Sequence, residues 1–285
     1  MIYKRVSTVA EAVEQADTNT RFLAGGQSLM PMINLRVASV GTVIDLNFIS
    51  ELSHIKCHGD TLIVGALVRH CTVASDAVIR RFAPVLAEGA ALIGNPRVRQ
   101  RGTIGGSVVH ADPSSELVTA LLALDASVII QGREGQRVLS IPELLIGPML
   151  TSLDTTDLLT QIVIPIRPNR SQTQAFEEVS RRLGDFAIAA AAVVIEMEEE
   201  LIRFARVSLG GVRSTPSRLP EVEEILNGKI PRKSLWQEAG QLTTAIAGGE
   251  SDAFCSATYR NHVAGVMVQR ALERAFDKSC GRGLA

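Results

Sequence analysis

Thr20 to Arg36 reads TRFLAGGQSLMPMINLR, and Arg101 to Leu117 reads RGTIGGSVVHADPSSEL. Each sets two adjacent glycines beside a small polar residue, where one apolar run gives way to the next element. In the first stretch RFLA reads as a short strand entering Gly25 and Gly26. Ser28 followed by LMPMINL then starts a helix that tolerates Pro31 in its first turn. Adjacent glycines lack Cβ atoms and accept positive φ, so successive backbone N–H groups can converge on an anion at close range. A helix beginning just after such a turn adds unpaired donors of its own. Singly, each stretch also reads as an ordinary turn with glycines for steric reasons. Together, with Thr103 and Ser107 adding hydroxyls to the second, they point to a grip on the two phosphates of a dinucleotide.

The surrounding chain bounds what such a site serves. Its 285 residues make two domains of ordinary size the expectation. Hydrophobic residues at 46% against 21% charged exclude a disordered chain. A formal net charge of -1 leaves no global field to draw nucleic acid or anionic lipid, so a phosphate-bearing ligand needs a local site. The cysteines Cys57, Cys71, Cys255 and Cys280 are scattered with no CxxC pair, which reads as reduced thiols in a cytoplasmic protein and supplies no zinc or iron-sulfur spacing. The opening MIYKRVSTVAEAVEQA has no apolar signal core, and FAIAAAAVVI is about half of what a bilayer crossing needs.

Along the chain, Val9, Ala12, Val13 and Ala16 fall at helical spacing behind a Thr8–Glu11 capping-box pattern, and TVIDL and TLIVGAL read as strands. Val73 to Ile93 is helical with a break at Pro84, GNPRVRQRG reads as a basic loop, PSSELVTALLAL as a capped helix, and ASVII and TDLLTQIVIPI as strands. Arg167 to Gln174 is the most linker-like segment. FAIAAAAVVIEM and FARVSLGGV beyond it are extended apolar runs joined by an exposed acidic turn in EMEEEL, and three helical patterns follow. HIKCH reads as a surface strand and turn, Arg97, Arg99 and Arg101 as a solvated face, and DKSCGRGLA as a frayed tail. No G-x-G-x-x-G follows a strand and no Walker-type loop occurs, so neither a Rossmann nor a P-loop site is indicated.

AGGQSLMPMINLR and GTIGGSVVHADPSSEL, in that order, resemble the two FAD-pyrophosphate loops of the flavin-binding medium subunits of molybdenum hydroxylases. SRRLGDFAIAAAAVVIEM and VSLGGVRSTPSR are similar to the C-terminal domain of the same family. The resemblance implies an α+β fold: an N-terminal FAD-binding region of the PCMH type, residues 1–170 with subdomains of about 1–55 and 56–170, and a C-terminal domain, 175–285, with a three-stranded antiparallel sheet and helices. It implies FAD in this chain, a large partner subunit carrying the molybdopterin cofactor, and a small one carrying two [2Fe-2S] clusters. Electrons would pass from substrate through the clusters to FAD and on to an external acceptor. Pairing of two such heterotrimers is an expectation of the family alone.

Carried over residue by residue, the resemblance puts Ala24, Gly25, Gly26, Gln27, Ser28 and Leu29, with Thr103, Ile104, Gly105, Gly106 and Ser107, around the pyrophosphate. It puts His110, Asp112 and Glu116 along the ribityl and adenosine portion, and Leu158 near adenine. Asp185 and Phe186 fall beside the flavin ring, where relatives often carry Tyr or Trp in place of Phe. No catalytic residue and no metal ligand is assigned. Two other readings stand beside this one: a self-sufficient flavin oxidoreductase of the same fold, and a scaffold that keeps the fold without the flavin.

Overall fold

The computed structural model describes residues 1–166 and 172–279. The chain opens with β1 (Ile2–Arg5), α1 (Val9–Gln15), β2 (Thr20–Leu23), α2 (Leu29–Asn34) and β3 (Thr42–Asp45), forming a parallel sheet of order β1-β3-β2. Thr8 caps α1 by accepting the Glu11 N–H, while the Glu11 carboxylate reaches past the expected partner to the Ser7 N–H at 2.8 Å. Ala12 and Val13 of α1 pack with Ile44, Leu46, Ile49, Leu52, Leu67 and Leu158 into a small core, and Ala24 sits at its edge. Because the strands are parallel, their C-terminal ends lie together, and the first glycine stretch leaves β2 at that end, where open α/β sheets take ligands.

The second layer contains β4 (Ile55–His58), β5 (Thr61–Gly65) and then a run of helices. The pattern from Val73 to Ile93 divides into α3 (His70–Ser75), α4 (Ala77–Phe82) and α5 (Pro84–Leu92). Asp76 accepts the Val78 and Ile79 N–H groups to start α4, and Pro84 occupies the first turn of α5. The expected basic loop is a helix, α6 (Pro96–Arg101), because Asn95 accepts from the Arg97 and Val98 amides and Pro96 presets the first turn. The second glycine stretch is likewise helical: Thr103 caps α7 (Ile104–His110), which ends at Ala111 in the left-handed region. Ser115 caps α8 (Glu116–Ala123) as its pattern predicts. Then come β6 (Ser127–Gly132), β7 (Gly135–Ser140), α9 (Ile141–Leu144), the short hairpin β8 (Leu145–Gly147) and β9 (Leu150–Thr151), and β10 (Leu158–Pro165). The larger strands form an antiparallel sheet of order β4-β5-β10-β6-β7.

The third sheet, β11 (Gln172–Val179), β12 (Ala189–Glu198), β13 (Leu201–Gly210) and β14 (Ser217–Arg218), is antiparallel in that order; the expected three long strands gain a two-residue fourth. Gln172 to Gln174 belong to β11, not to a linker, because each pairs with β12; Arg167–Ser171 lie outside the described residues. The continuous apolar run of β12 has a physical cause. Ala190, Ala192 and Val194 enter the central core with Phe176, while Ala189, Ala191, Val193 and Ile195 face a second core under α10 (Pro220–Leu226), α11 (Lys233–Ile246) and α12 (Ala257–Ser279). A strand covered on both faces has no reason to alternate. The expected exposed turn over EMEEEL is shorter than predicted: Glu196 is fully buried within β12, which runs to Glu198, and only Glu199, at φ +55°, and Glu200 lie between β12 and β13. Helix α12 extends through Ser279 where a tail was expected to begin, and the rest of that tail lies outside the described residues.

Candidate cofactor-binding site

The two glycine stretches, far apart in sequence, meet. A Cβ on Gly25 would overlap the Arg101 carbonyl oxygen and lie 2.8 Å from Gly102 Cα, so only glycine allows the first stretch to rest against the backbone leading into the second. Gly106 looks back at the first stretch, with Ala24 Cβ 3.9 Å from where its own Cβ would stand. Gly26 takes φ +71°.

Their hydrogen-bonding capacities differ. Among the described residues, the N–H groups of Gly25, Gly26, Gln27, Ser28 and Leu29 donate to no protein acceptor, and the Ser28 side chain makes no capping bond. In the second stretch the amides are engaged: Ile104 N–H donates to Val68 O (3.0 Å), Gly105 to Ala66 O (2.9 Å), Gly106 to Thr103 Oγ1 (3.2 Å) and Ser107 to Thr103 O (3.0 Å). The expected symmetry of two amide nests is therefore replaced by a division of labour. The first stretch offers open N–H groups. The second offers the half-buried Ser107 hydroxyl and a bare, exposed Gly106, while the Thr103 hydroxyl is itself buried and caps α7, and buried Gly105 lets α7 pack on Ala66, whose Cβ would be only 2.6 Å from an added Cβ. Five open amides beside a surface kept free of side chains suit a pyrophosphate.

Downstream, Ser107 Oγ lies 3.0 Å from Ser115 Oγ, and Asp112 accepts from the Ser114 N–H and hydroxyl at 2.8 and 2.6 Å, folding HADPSSEL into the turn that starts α8. His110 is the last residue of α7. Burial pushes the Glu116 carboxyl up to about 8, with help from Glu178 and Asp112, and burial likewise pushes Glu178 of β11 up to about 7. Glu116 thus carries a proton at neutral pH and is able to donate as well as accept a hydrogen bond. Leu158 is buried in the small core that Ala24 borders. Asp185 and Phe186 stand apart: their turn rests on Gly94, Asp185 pairs with Arg181 at 3.8 Å, and Phe186 is 78% exposed. Arg99 closes the end of α5 by donating to the Ile93 and Gly94 carbonyls, so it serves the fold and not an open basic face.

Several residues that carry no motif brace the site. Asn47, just past β3, donates to Ala24 O (2.9 Å) and to Asp45 Oδ1 (2.6 Å), and Asp45 also takes the Tyr3 hydroxyl (2.5 Å). Burial alone would raise the Asp45 carboxyl, but the bonds from Tyr3 and Asn47 outweigh it and hold it below the usual range. His70 donates its backbone N–H to Gly102 O and shares a ring bond of 2.9 Å with Thr103 O. Burial lowers its pKa to about 4, so the ring is neutral with its proton on Nε2, facing that carbonyl. Single polar residues separated by dozens of positions leave no pattern in a sequence.

Residues 1–167 match the family model described as the FAD binding domain in molybdopterin dehydrogenase. The chain belongs to this family. Residues 174–275 match the CO dehydrogenase flavoprotein C-terminal domain. Caffeine dehydrogenase subunit beta of Pseudomonas sp. strain CBB1 is 36% identical over 281 residues, covering 97% of this chain and 95% of that one. The 6-hydroxypseudooxynicotine dehydrogenase complex subunit alpha of Paenarthrobacter nicotinovorans is also 36% identical over 281 residues, covering 95% and 94%. A carbon monoxide dehydrogenase structure from Hydrogenophaga pseudoflava superposes with a TM-score of 0.93 at 33% identity, covering 98% of each chain. The chain is thus an FAD-binding medium subunit of the molybdenum hydroxylase type, an oxidoreductase component with the α+β architecture its sequence predicts. No helix among the described residues is long and apolar enough to cross a membrane.

Proposed function

We propose that this subunit is the electron exit of a cytoplasmic molybdenum-dependent dehydrogenase. It receives electrons from the two [2Fe-2S] clusters of a small subunit, which are fed by a large molybdopterin-bearing subunit, and delivers them to an external acceptor. The observation that carries the reading is the meeting of the glycine stretches, with five open amides on one side and a side-chain-free Gly106 on the other. FAD, when bound, supplies the two-electron chemistry; the chain supplies position, charge and shielding.

In this reading Gly25, Gly26, Gln27, Ser28 and Leu29 hold the pyrophosphate through N–H donors, and Ser107 adds its hydroxyl from the other side, on the helix that Thr103 caps. Ala24, Ile104, Gly105 and Gly106 shape the floor. His110, Asp112 and protonated Glu116 face the ribityl and adenosine portion, and Leu158 backs the adenine end. Asp185 and exposed Phe186 lie at the flavin ring, where an apolar face in need of cover suits a ring or a docked partner. Residues 1–170 form the FAD-binding unit and 175–285 the C-terminal unit, with two heterotrimers pairing in the full enzyme. The test is the visible spectrum of the purified full chain, followed by release and mass identification of the chromophore. Oxidised-flavin bands and the mass of FAD are expected; a colourless chain that takes up no added FAD refutes the reading. Co-purification with tagged large and small subunits tests the partners.

A further inference from the structure

Arg69 lies in neither glycine stretch, yet its guanidinium joins them. One terminal nitrogen donates to Arg101 O, the carbonyl against which Gly25 rests, and the other donates to Asn47 Oδ1 at 2.6 Å. The orientation of Asn47 is fixed by its partners: its NH2 group serves Ala24 O and Asp45, so its oxygen is left to face Arg69. A continuous chain of donors and acceptors therefore runs from Tyr3 on β1 through Asp45 and Asn47 to Ala24 O, and through Arg69 to Arg101 O. We propose that Arg69, acting through Asn47, is a positioning residue that sets the spacing between the two stretches and so the fit of the pyrophosphate. This inference rests on the FAD reading of the site.

Two physical features support it. The Ala24 and Arg101 carbonyls belong to the two stretches, and Asn47 and Arg69 engage both, so neither is left as an unsatisfied acceptor where the stretches meet. The two acceptors are held by separate nitrogens of one planar fork, and the single Nζ of a lysine, though it keeps the charge, would have to reach both from one point, so a lysine loses the bridge. The backbone at this point is held independently of the side chain: Arg69 and Thr103 form an isolated antiparallel bridge, with His70 N–H on Gly102 O and Ile104 N–H on Val68 O, both at 3.0 Å. Removing the guanidinium therefore releases the loops from each other without unpairing the backbone around it.

The experiment titrates the FAD-stripped full chain with FAD, and separately with ADP, for wild type, Arg69→Met, Arg69→Lys, Asn47→Ala and the Arg69→Met/Asn47→Ala double variant. Arg69→Met is expected to weaken FAD about tenfold, and ADP by the same factor, with the melting temperature of the FAD-free chain unchanged. Arg69→Lys should bind as weakly as Arg69→Met, and the double variant no more weakly than its weaker parent, since both changes cut one bridge. Wild-type affinity in Arg69→Lys would show that charge alone suffices and overturn the proposal. So would multiplying losses in the double variant, or an unaffected Arg69→Met. If Asn47→Ala does not fold, the methionine and lysine variants still decide. A wild-type chain that binds neither ligand refutes the FAD reading itself, and the proposal with it.

Discussion

Replacing Gly25 by alanine tests the closest approach in the site. The new Cβ would overlap Arg101 O and stand 2.8 Å from Gly102 Cα and 3.0 Å from Arg101 C. All three neighbours are backbone, so no side chain can rotate aside. Restoring an ordinary contact of 3.4 Å requires a shift of about 0.6 Å at Gly102 Cα and of about 1 Å at the closer Arg101 oxygen, which sets how far the stretches must part. Overpacking of this kind costs about 1–3 kcal/mol. If that strain falls on the spacing that FAD must bridge, affinity drops roughly tenfold to a hundredfold, at about 1.4 kcal/mol per decade. If it falls on the fold, melting drops by roughly 2–4 °C per kcal/mol. Gly59→Ala is the control: at φ +56° with nothing within 4 Å, it incurs backbone strain of about 1 kcal/mol and leaves FAD alone. The assay is a fluorescence-quench titration of stripped protein with FAD beside a thermal melt. Wild-type affinity together with wild-type melting in Gly25→Ala would refute the claim that the two stretches form one site.

Three further outcomes follow from the same contacts. Gly105→Ala places a Cβ 2.6 Å from Ala66 Cβ and 2.8 Å from Ala66 O, so it should lower the urea midpoint by an amount equivalent to about 2 kcal/mol, with flavin loss as a consequence. Glu116 is protonated in the folded chain up to about pH 8 and ionises near 4.5 when unfolded, so the folded state holds the extra proton and stability falls as pH rises through that window. His70, with its folded pKa lowered to about 4, acts in the opposite sense up to about 6.5, and Glu178, pushed up to about 7, acts in the same sense as Glu116 up to about that pH, so melts of the FAD-free chain between pH 7 and 8 report mainly on Glu116. Glu116→Gln should flatten the slope there, and an unchanged slope would refute a buried neutral Glu116. Glu88→Ala removes the acceptor shared by Arg274 (2.5 Å), Lys278 (2.6 Å) and the Phe176 N–H (3.0 Å), and should cost about 1–2 kcal/mol in urea unfolding; no change would mean that these partly exposed contacts are replaced by water.

The sequence by itself determined what depends on near neighbours. Thr8, Ser115 and the β-branched runs around Val43, Ile63 and Ile162 declare their helices and strands because caps and strand preferences act over a few residues. Asn95 and Pro96 carried an equally local helix-start signal beneath the arginine alternation, so α6 was legible in principle. The two glycine motifs were legible too, and named the family. Only the tertiary structure decided that Gly25 lies on Arg101 and that Gly106 faces Ala24. It alone assigned the second stretch's amides to Ala66 and Val68, leaving the open donors to the first. It also joined Tyr3, Asp45, Asn47 and Arg69 into one brace and turned Glu116 toward Glu178. The physical reason is common to all of these. Whether an amide is free, a carboxyl neutral or a glycine required depends on which atoms packing brings within a few ångströms, and residues distant in sequence leave no local trace of that closeness.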